Sequence, residues 1–162
     1  MTIRFALATL ALFCSPVVSL GAEHATELPF NILNGTWAGA GSLIYDSGPP
    51  DKLSCLGYYR STNDGKSLGV ALRCKGQPDK IEFRTQLTST DGKISGTWEE
   101  RTNNASGTAS GTATANTLHI DFEGGLSGTM SIAFSASSQA VVVTVSTDGS
   151  EIKGARVNLS RR

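Results

Sequence analysis

The chain has 162 residues, the length of one domain with one core, and its 14 basic and 14 acidic side chains give a formal net charge of zero. A balanced charge argues against nucleic acid or an anionic membrane surface as a partner, because both attract clusters of basic residues. Charged residues make up only 17% of the chain, which also contains 18 glycines. Such a composition is common in secreted proteins built from β-strands.

Residues 1–22 have the pattern of a secretory signal peptide, with one positive charge at Arg4, an apolar run over 5–12 and a small-residue end at 19–22. The apolar run is shorter than the roughly 20 residues that span a bilayer. Removing the signal also removes Cys14 and leaves two cysteines, an even number for a compartment that oxidises thiols. We therefore predict a periplasmic or secreted protein without a membrane span.

The next predicted elements are an arm and a first strand. Residues 23–32 contain Pro29 and have no clear period, so we interpret them as an N-terminal arm before a single domain over 33–162. Residues 33–45 then alternate, and one face carries Leu33, Trp37, Leu43 and Tyr45. The glycines between them weaken a strand unless the chain needs room, so they indicate a strong bend or a close approach at a barrel corner.

A hairpin follows over residues 53–74. Its two alternating runs flank Asp64-Gly65, a pair that favours a tight turn because both residues tolerate positive φ. If these two residues form the loop, Cys55 lies opposite Cys74, and we predict a structural disulfide between them. Strict alternation from such a loop puts the cysteines at a hydrogen-bonded pair, where disulfide geometry is harder to reach, so a longer loop or a bulge is the alternative.

Further alternating runs continue along the chain, separated by turn signals such as Asp91-Gly92 and Gly124-Gly125. The clearest runs lie over 81–88, 94–99, 118–123 and 130–134, followed by a nearly continuous apolar run over 141–145 and a last run over 152–159. Short strands at this spacing, with no helix expected outside the signal, are typical of an all-β sandwich or barrel. Because nearly every connection resembles a tight hairpin, we predict an antiparallel up-and-down meander of about 8 to 10 strands that closes into a barrel, with a β-sandwich as the alternative.

Two groups of polar residues are candidates for sites of chemistry. His119, Asp121 and Glu123 share one face of a predicted strand, but successive same-face residues lie about 6 to 7 Å apart. Their face is opposite an apolar one, so a solvated outer surface is favoured over a metal site. Glu99 and Glu100 are adjacent and point to opposite faces, so they cannot form a facing catalytic pair by themselves.

Glu100 and three aromatic residues are the candidates for contact with a ligand or partner. Glu100 shares a predicted inner face with Trp98 and would be a buried carboxylate, paired with one of the arginines at 73, 84 or 101. Tyr58 and Tyr59 lie in mid-hairpin on opposite faces, so one is expected in the core and the other at the surface. We find no Ser-His-Asp triad, phosphate loop or metal-ligand cluster, and predict no catalytic residues, cofactor or metal.

Gly35-Thr36-Trp37 on the first strand, with Arg156 on the last, resembles the signature of the lipocalin and wider calycin family. In that family a Gly-x-Trp motif packs its indole against an arginine of the last strand and closes one end of a barrel. The physical basis is a cation over an aromatic face, together with hydrogen bonds from the guanidinium to backbone carbonyls. The resemblance implies that Trp37 and Arg156 have structural roles.

A signal peptide, Gly-x-Trp and one disulfide also resemble small periplasmic barrels of the metalloprotease-inhibitor type, whose inhibitory element is an N-terminal arm. Residues 23–30 would be that arm here. As a whole, the sequence looks like small secreted proteins of Gram-negative bacteria. We predict a monomeric, non-enzymatic barrel that binds a small apolar ligand or a protein partner. An inhibitor or interaction module acting through the arm and loops is the alternative, and a hydrolase using Glu99 or Glu100 is a third hypothesis.

Overall fold

The computed structural model describes residues 29–77 and 80–162. The predicted signal peptide (1–22) and the first part of the predicted arm (23–28) lie outside the described residues. The described part contains one short helix and ten strands: α1 (Pro29–Leu33), β1 (Gly35–Tyr45), β2 (Asp51–Thr62), β3 (Ser67–Lys75), β4 (Lys80–Thr90), β5 (Lys93–Glu100), β6 (Ala105–Ala113), β7 (Thr117–Gly124), β8 (Gly128–Phe134), β9 (Ser138–Val145) and β10 (Ile152–Arg161). Within that part, no helix has the length and apolar character needed to cross a bilayer.

The ten strands form one closed antiparallel barrel. Each strand pairs with the next along the chain, and β1 also pairs with β10. The predicted up-and-down barrel is confirmed, and the β-sandwich alternative is wrong. Closure satisfies the backbone groups that an open sheet edge would leave unpaired.

The alternation of side chains along each strand decides which residues enter the barrel. In β4, Thr85 and Leu87 are buried while their neighbours Arg84 and Gln86 are exposed, because successive side chains point to opposite faces. The largest fully buried side chains are Trp37, Phe30, Leu33, Leu68, Leu118 and Leu159. Burying one such apolar side chain stabilises the fold by about 1.5 to 3 kcal/mol.

The hairpin of β2 and β3 has the predicted register, and Cys55 is joined to Cys74 by a disulfide. The loop is longer than two residues, because β2 ends at Thr62 and β3 begins at Ser67. The Cα atoms of the two cysteines are 4.0 Å apart. This spacing is close to the roughly 4.5 Å of a non-hydrogen-bonded pair. The longer loop thus brings the cysteines to the kind of pair that accommodates a disulfide.

Two glycines in β1 allow the close approach of a neighbouring strand that the sequence predicts. A Cβ atom on Gly39 would lie 1.9 Å from the carbonyl oxygen of Asn158, and one on Gly41 would lie 2.2 Å from that of Arg156. Both carbonyls belong to β10, the strand that closes the barrel against β1. Any side chain at these positions would force the two strands apart.

A short helix closes one end of the barrel, where the sequence predicts an irregular arm and no helix. Phe30 and Leu33 of α1 are fully buried, and the indole Nε1 of Trp37 donates a 2.8 Å hydrogen bond to the carbonyl of Leu33. On the outer side, the Ser61 hydroxyl of β2 donates to Oδ1 of Asn31 at 3.0 Å. A helix of five residues is too short to show a helical period, which is why the pattern missed it.

Arg161 is the cation that packs on Trp37, so the predicted pairing of Trp37 with Arg156 is wrong. The guanidinium carbon of Arg161 lies 4.4 Å from the indole ring centre. Its three nitrogens donate hydrogen bonds to the backbone carbonyls of Ala136, Asn34 and Ile32. Arg161 therefore ties β10 and the β8–β9 connection to the C-terminal end of α1.

The strand period explains why Arg156 cannot take this role. In β10, Val157 and Leu159 are buried and face the interior, so Arg156 points outward and is exposed, whereas Arg161 has the parity of the interior face. Gly35 makes room for the arginine that does fit. A Cβ atom on Gly35 would lie 2.6 Å from Nη1 of Arg161, and the φ of Gly35 is 135°, a conformation that favours glycine.

Candidate functional site

An apolar cavity of about 190 Å³ occupies the interior of the barrel, and we call it the barrel cavity. Leu33 of α1 lines it at the closed end. At the opposite end it is lined by Asn103 in the β5–β6 connection and by Leu126 in the β7–β8 connection. Asn103 is exposed, so the cavity reaches solvent at this open end.

Three aromatic rings form one wall of the barrel cavity. The indole of Trp98 stacks on Phe83, with ring centres 6.4 Å apart and planes 18° apart, and it meets Phe122 edge-on at 5.8 Å. The Trp98 Nε1 donates to the carbonyl oxygen of Glu123 at 3.3 Å, so the polar atom of the indole is satisfied by the barrel itself. The structure thus places Trp98 on the inner face, where the sequence predicts it, and leaves its apolar surface toward the cavity.

Glu100 lies at the open end of the cavity and is 8% exposed. Its Oε1 accepts hydrogen bonds from the backbone amides of Glu82 at 2.9 Å and Thr102 at 3.0 Å. Its Oε2 accepts from the backbone amide of Asn103 at 2.8 Å and from the Asn103 side chain at 2.9 Å. The predicted arginine partner is therefore wrong, because main-chain amides and an asparagine hold this carboxylate.

The pKa of Glu100 lies below its usual value. Burial opposes ionisation and raises the pKa, but the hydrogen bonds from Glu82, Asn103 and Thr102 favour the charged form and outweigh that effect. An ionised carboxylate whose oxygens are bound in this way organises the turn after β5. It is poorly suited to accept a proton from a substrate.

Glu99 lies on the other side of the barrel wall. Its Oε1 is 3.9 Å from Nε of Arg84 and 4.0 Å from Nε of Arg101, and all three side chains are about half exposed. Glu99 and Glu100 therefore do not face each other, as their adjacent positions in the strand predict. The two carboxylates do not form the opposed pair that glycoside hydrolysis uses.

The outer face of β7 carries the remaining polar residues that the sequence singled out. His119, Asp121 and Glu123 are all exposed, and Nδ1 of His119 lies 3.1 Å from Oγ of Ser131. Across residues 29–77 and 80–162, no three His, Cys, Asp or Glu side chains are grouped so that they could hold a metal ion.

The two adjacent tyrosines of β2 have opposite environments. Tyr58 points outward and is 52% exposed, whereas Tyr59 points inward, is 7% exposed and lines the barrel cavity. The ring of Tyr59 meets Trp37 edge-on, with ring centres 6.2 Å apart. Burial raises the pKa of Tyr59, so its hydroxyl remains protonated.

Sequence reasoning missed the residues that give the site its shape. Val143 in β9 and Ala155 in β10 line the cavity, but they belong to strands far along the chain from Tyr59 and Trp98. The sequence pattern also does not single out Asn103, although an asparagine three residues after an inward-facing glutamate is within reach of its carboxylate. That spacing was the available signal for the partner of Glu100.

Comparison with known proteins defines the class of fold. No protein-family model matches the chain, and no curated protein sequence matches it. Among solved structures, Rv2717c from M. tuberculosis is 12% identical with a TM-score of 0.69, over 85% of this chain and 98% of that one. The S-type phycobiliprotein lyase CPES from Guillardia theta is 12% identical with a TM-score of 0.53, over 82% of this chain and 89% of that one.

A protein of unknown function from the DUF3598 family of Nostoc punctiforme is 14% identical with a TM-score of 0.57, and the match covers 88% of this chain and 53% of that one. At such identities the likeness concerns the fold alone. The chain therefore shares a β-barrel fold with these three structures.

Proposed function

We propose that this protein is a non-enzymatic binding protein that holds a small apolar molecule inside its barrel. The observation that carries the proposal is the barrel cavity of about 190 Å³, which has almost entirely apolar walls and reaches solvent beside Asn103. An apolar protein cavity of about 150 Å³ is enough to bind benzene or xenon. The likeness to a phycobiliprotein lyase supports the proposal only through the shared barrel fold.

The two alternative functions receive less support. An inhibitory arm needs a free N-terminal segment, but Phe30, at the end of the proposed arm, is fully buried in the closed end of the barrel. A hydrolase needs a carboxylate free to exchange a proton, but the oxygens of Glu100 accept four hydrogen bonds and Glu99 lies outside the cavity.

We further propose that residues 1–22 direct the protein to the periplasm or out of the cell. The disulfide between Cys55 and Cys74 supports this proposal, because such bonds persist in oxidising compartments. The mass of the protein recovered from a periplasmic extract of a Gram-negative host tests it. We expect loss of the first 21 or 22 residues, and an uncleaved chain would contradict the proposal.

Binding inside the barrel is tested with a substitution that fills the cavity and a matched substitution on the outer face of the same strand. Val143 lines the cavity, and its neighbour Val142 points outward and is 41% exposed. The apolar dye N-phenylnaphthylamine is titrated and its fluorescence recorded. We expect Val143→Phe to weaken dye binding at least tenfold and Val142→Phe to leave it unchanged, since only the first side chain occupies the cavity.

Ala155→Leu is the second filling variant, for use if Val143→Phe does not fold, because Ala155 also lines the cavity. Circular dichroism and urea unfolding confirm that each variant keeps the barrel. Equal dye affinities in the inner and outer variants, or no dye binding to the wild-type protein, would refute a ligand site in the cavity.

A further inference from the structure

Tyr59 contributes a hydroxyl to the mostly apolar wall of the barrel cavity. The side chain is 7% exposed, and within the described part of the chain its hydroxyl has no hydrogen-bond partner. Thr85, the other hydroxyl residue on the described wall, donates to the carbonyl of Thr97 at 2.7 Å and is therefore satisfied. A tyrosine hydroxyl that donates to no protein group keeps an unused donor, so that of Tyr59 is available to a molecule in the cavity.

The ring of Tyr59 is held in place by two neighbours. A Cβ atom on Gly57 would lie only 2.7 Å from Cε2 of Tyr59, the ring carbon next to the one that carries the hydroxyl, so the ring lies over this glycine. Trp37 packs edge-on against the same ring. Because Tyr59 is near the end of β2 that meets α1, its hydroxyl lies deeper in the barrel than Asn103 at the open end.

The charges around the cavity limit the kind of molecule that can reach this hydroxyl. Among the described residues that line the cavity, none is Lys, Arg or His, so a buried anionic head would have no countercharge. The one carboxylate among these residues belongs to Glu100 at the open end, and its oxygens already accept four hydrogen bonds, so a cationic head deep in the barrel would find no free acceptor on it. A neutral ligand avoids both penalties.

We infer that the barrel binds a neutral apolar molecule bearing a carbonyl or ether oxygen, and that the hydroxyl of Tyr59 donates a hydrogen bond to this oxygen. The inference rests on the proposed function and names the chemical class of its ligand. The apolar walls bind the hydrocarbon part of the ligand, whatever polar group the ligand carries. Tyr59 favours ligands that have a hydrogen-bond acceptor. The acceptor enters first and the hydrocarbon chain extends toward the open end.

Three probes of equal chain length test the inference: methyl heptyl ketone, nonane and nonanoate, each measured by displacement of N-phenylnaphthylamine. Tyr59→Phe removes only the hydroxyl, and Tyr58→Phe makes the same change at the adjacent exposed residue as a matched control. We expect the wild-type protein to bind the ketone most tightly. Tyr59→Phe should weaken ketone binding about fivefold and leave nonane unchanged, as the loss of one hydrogen bond predicts. Tyr58→Phe should affect neither.

The failures of the two proposals are distinguishable. If nonane and the ketone displace the dye equally well and Tyr59→Phe changes neither, the cavity binds ligands but the role of Tyr59 is refuted. Tightest binding by nonanoate also refutes it, because an ionised head would then lie at the mouth rather than beside Tyr59. If no probe displaces the dye and Val143→Phe matches Val142→Phe, the proposed function itself fails.

Discussion

Removing the guanidinium of Arg161 tests how the closed end of the barrel is held. The side chain donates hydrogen bonds to three carbonyls and lies 4.4 Å above the ring of Trp37. A hydrogen bond to a charged group contributes about 1.5 to 3 kcal/mol, and an exposed cation–π contact about 0.5 to 1 kcal/mol. Arg161 is exposed and water can replace part of these contacts, so we expect Arg161→Ala to lower the free energy of unfolding by about 2 kcal/mol.

Urea unfolding followed by tryptophan fluorescence measures this loss. With a slope of about 2 kcal/mol per molar urea, the midpoint should fall by about 1 M. Arg156→Ala is the matched control, because Arg156 lies on the exposed outer face of the same strand and should change stability by less than about 0.5 kcal/mol. Arg161→Lys keeps the charge but loses the planar fork of donors, and should recover only a minor part of the loss.

A midpoint that falls more for Arg156→Ala than for Arg161→Ala would refute the reasoning. The arginine named by the family resemblance would then be the one that closes the barrel in solution. Equal midpoints for all three variants and the wild-type protein would instead show that α1 is held by its apolar residues alone.

Two further predictions concern stability. Replacing both Cys55 and Cys74 by serine should cost about 3 kcal/mol, because the bond closes a loop with a sequence separation of 19 residues; identical urea midpoints for variant and wild type would contradict this. For Glu100, the lowered pKa means that the ionised form stabilises the fold above the unfolded-state pKa and that this contribution is lost as the pH falls through the folded-state pKa. Glu100→Gln should therefore lower the midpoint at neutral pH and make little difference in acid, and a pH-independent difference would refute the assignment.

Most of the fold could be predicted from the alternation of inward and outward side chains along the strands. The same alternation also shows which arginine of β10 packs on Trp37. Alternation in β10 places Val157 and Leu159 inside. The same alternation turns Arg156 outward and gives Arg161, two positions beyond Leu159, the direction of the inner face at the end of the strand. The family resemblance requires an arginine on the last strand but does not say which face of the strand it lies on. It therefore pointed to Arg156 instead of Arg161.

Other features could not be predicted from local pattern because they depend on distant contacts. The helix α1 is defined by burial of Phe30 and Leu33 in the barrel end, not by a period of its own. The volume of the barrel cavity depends on how inward side chains from all parts of the barrel fill the interior. The free hydroxyl of Tyr59 follows from the absence of a partner across the described cavity wall, which no stretch of sequence encodes.

The seam between β1 and β10 joins segments that are made at very different times. Arg161 and Asn34, which meet at this seam, are 127 positions apart in the chain. At a synthesis rate of roughly 5 to 20 residues per second, β10 is made about 6 to 25 seconds after β1. A strand edge left open for that long is a template for self-association. The glycines that let β10 approach also lower the tendency of β1 to aggregate, because aggregation-prone segments contain few glycines.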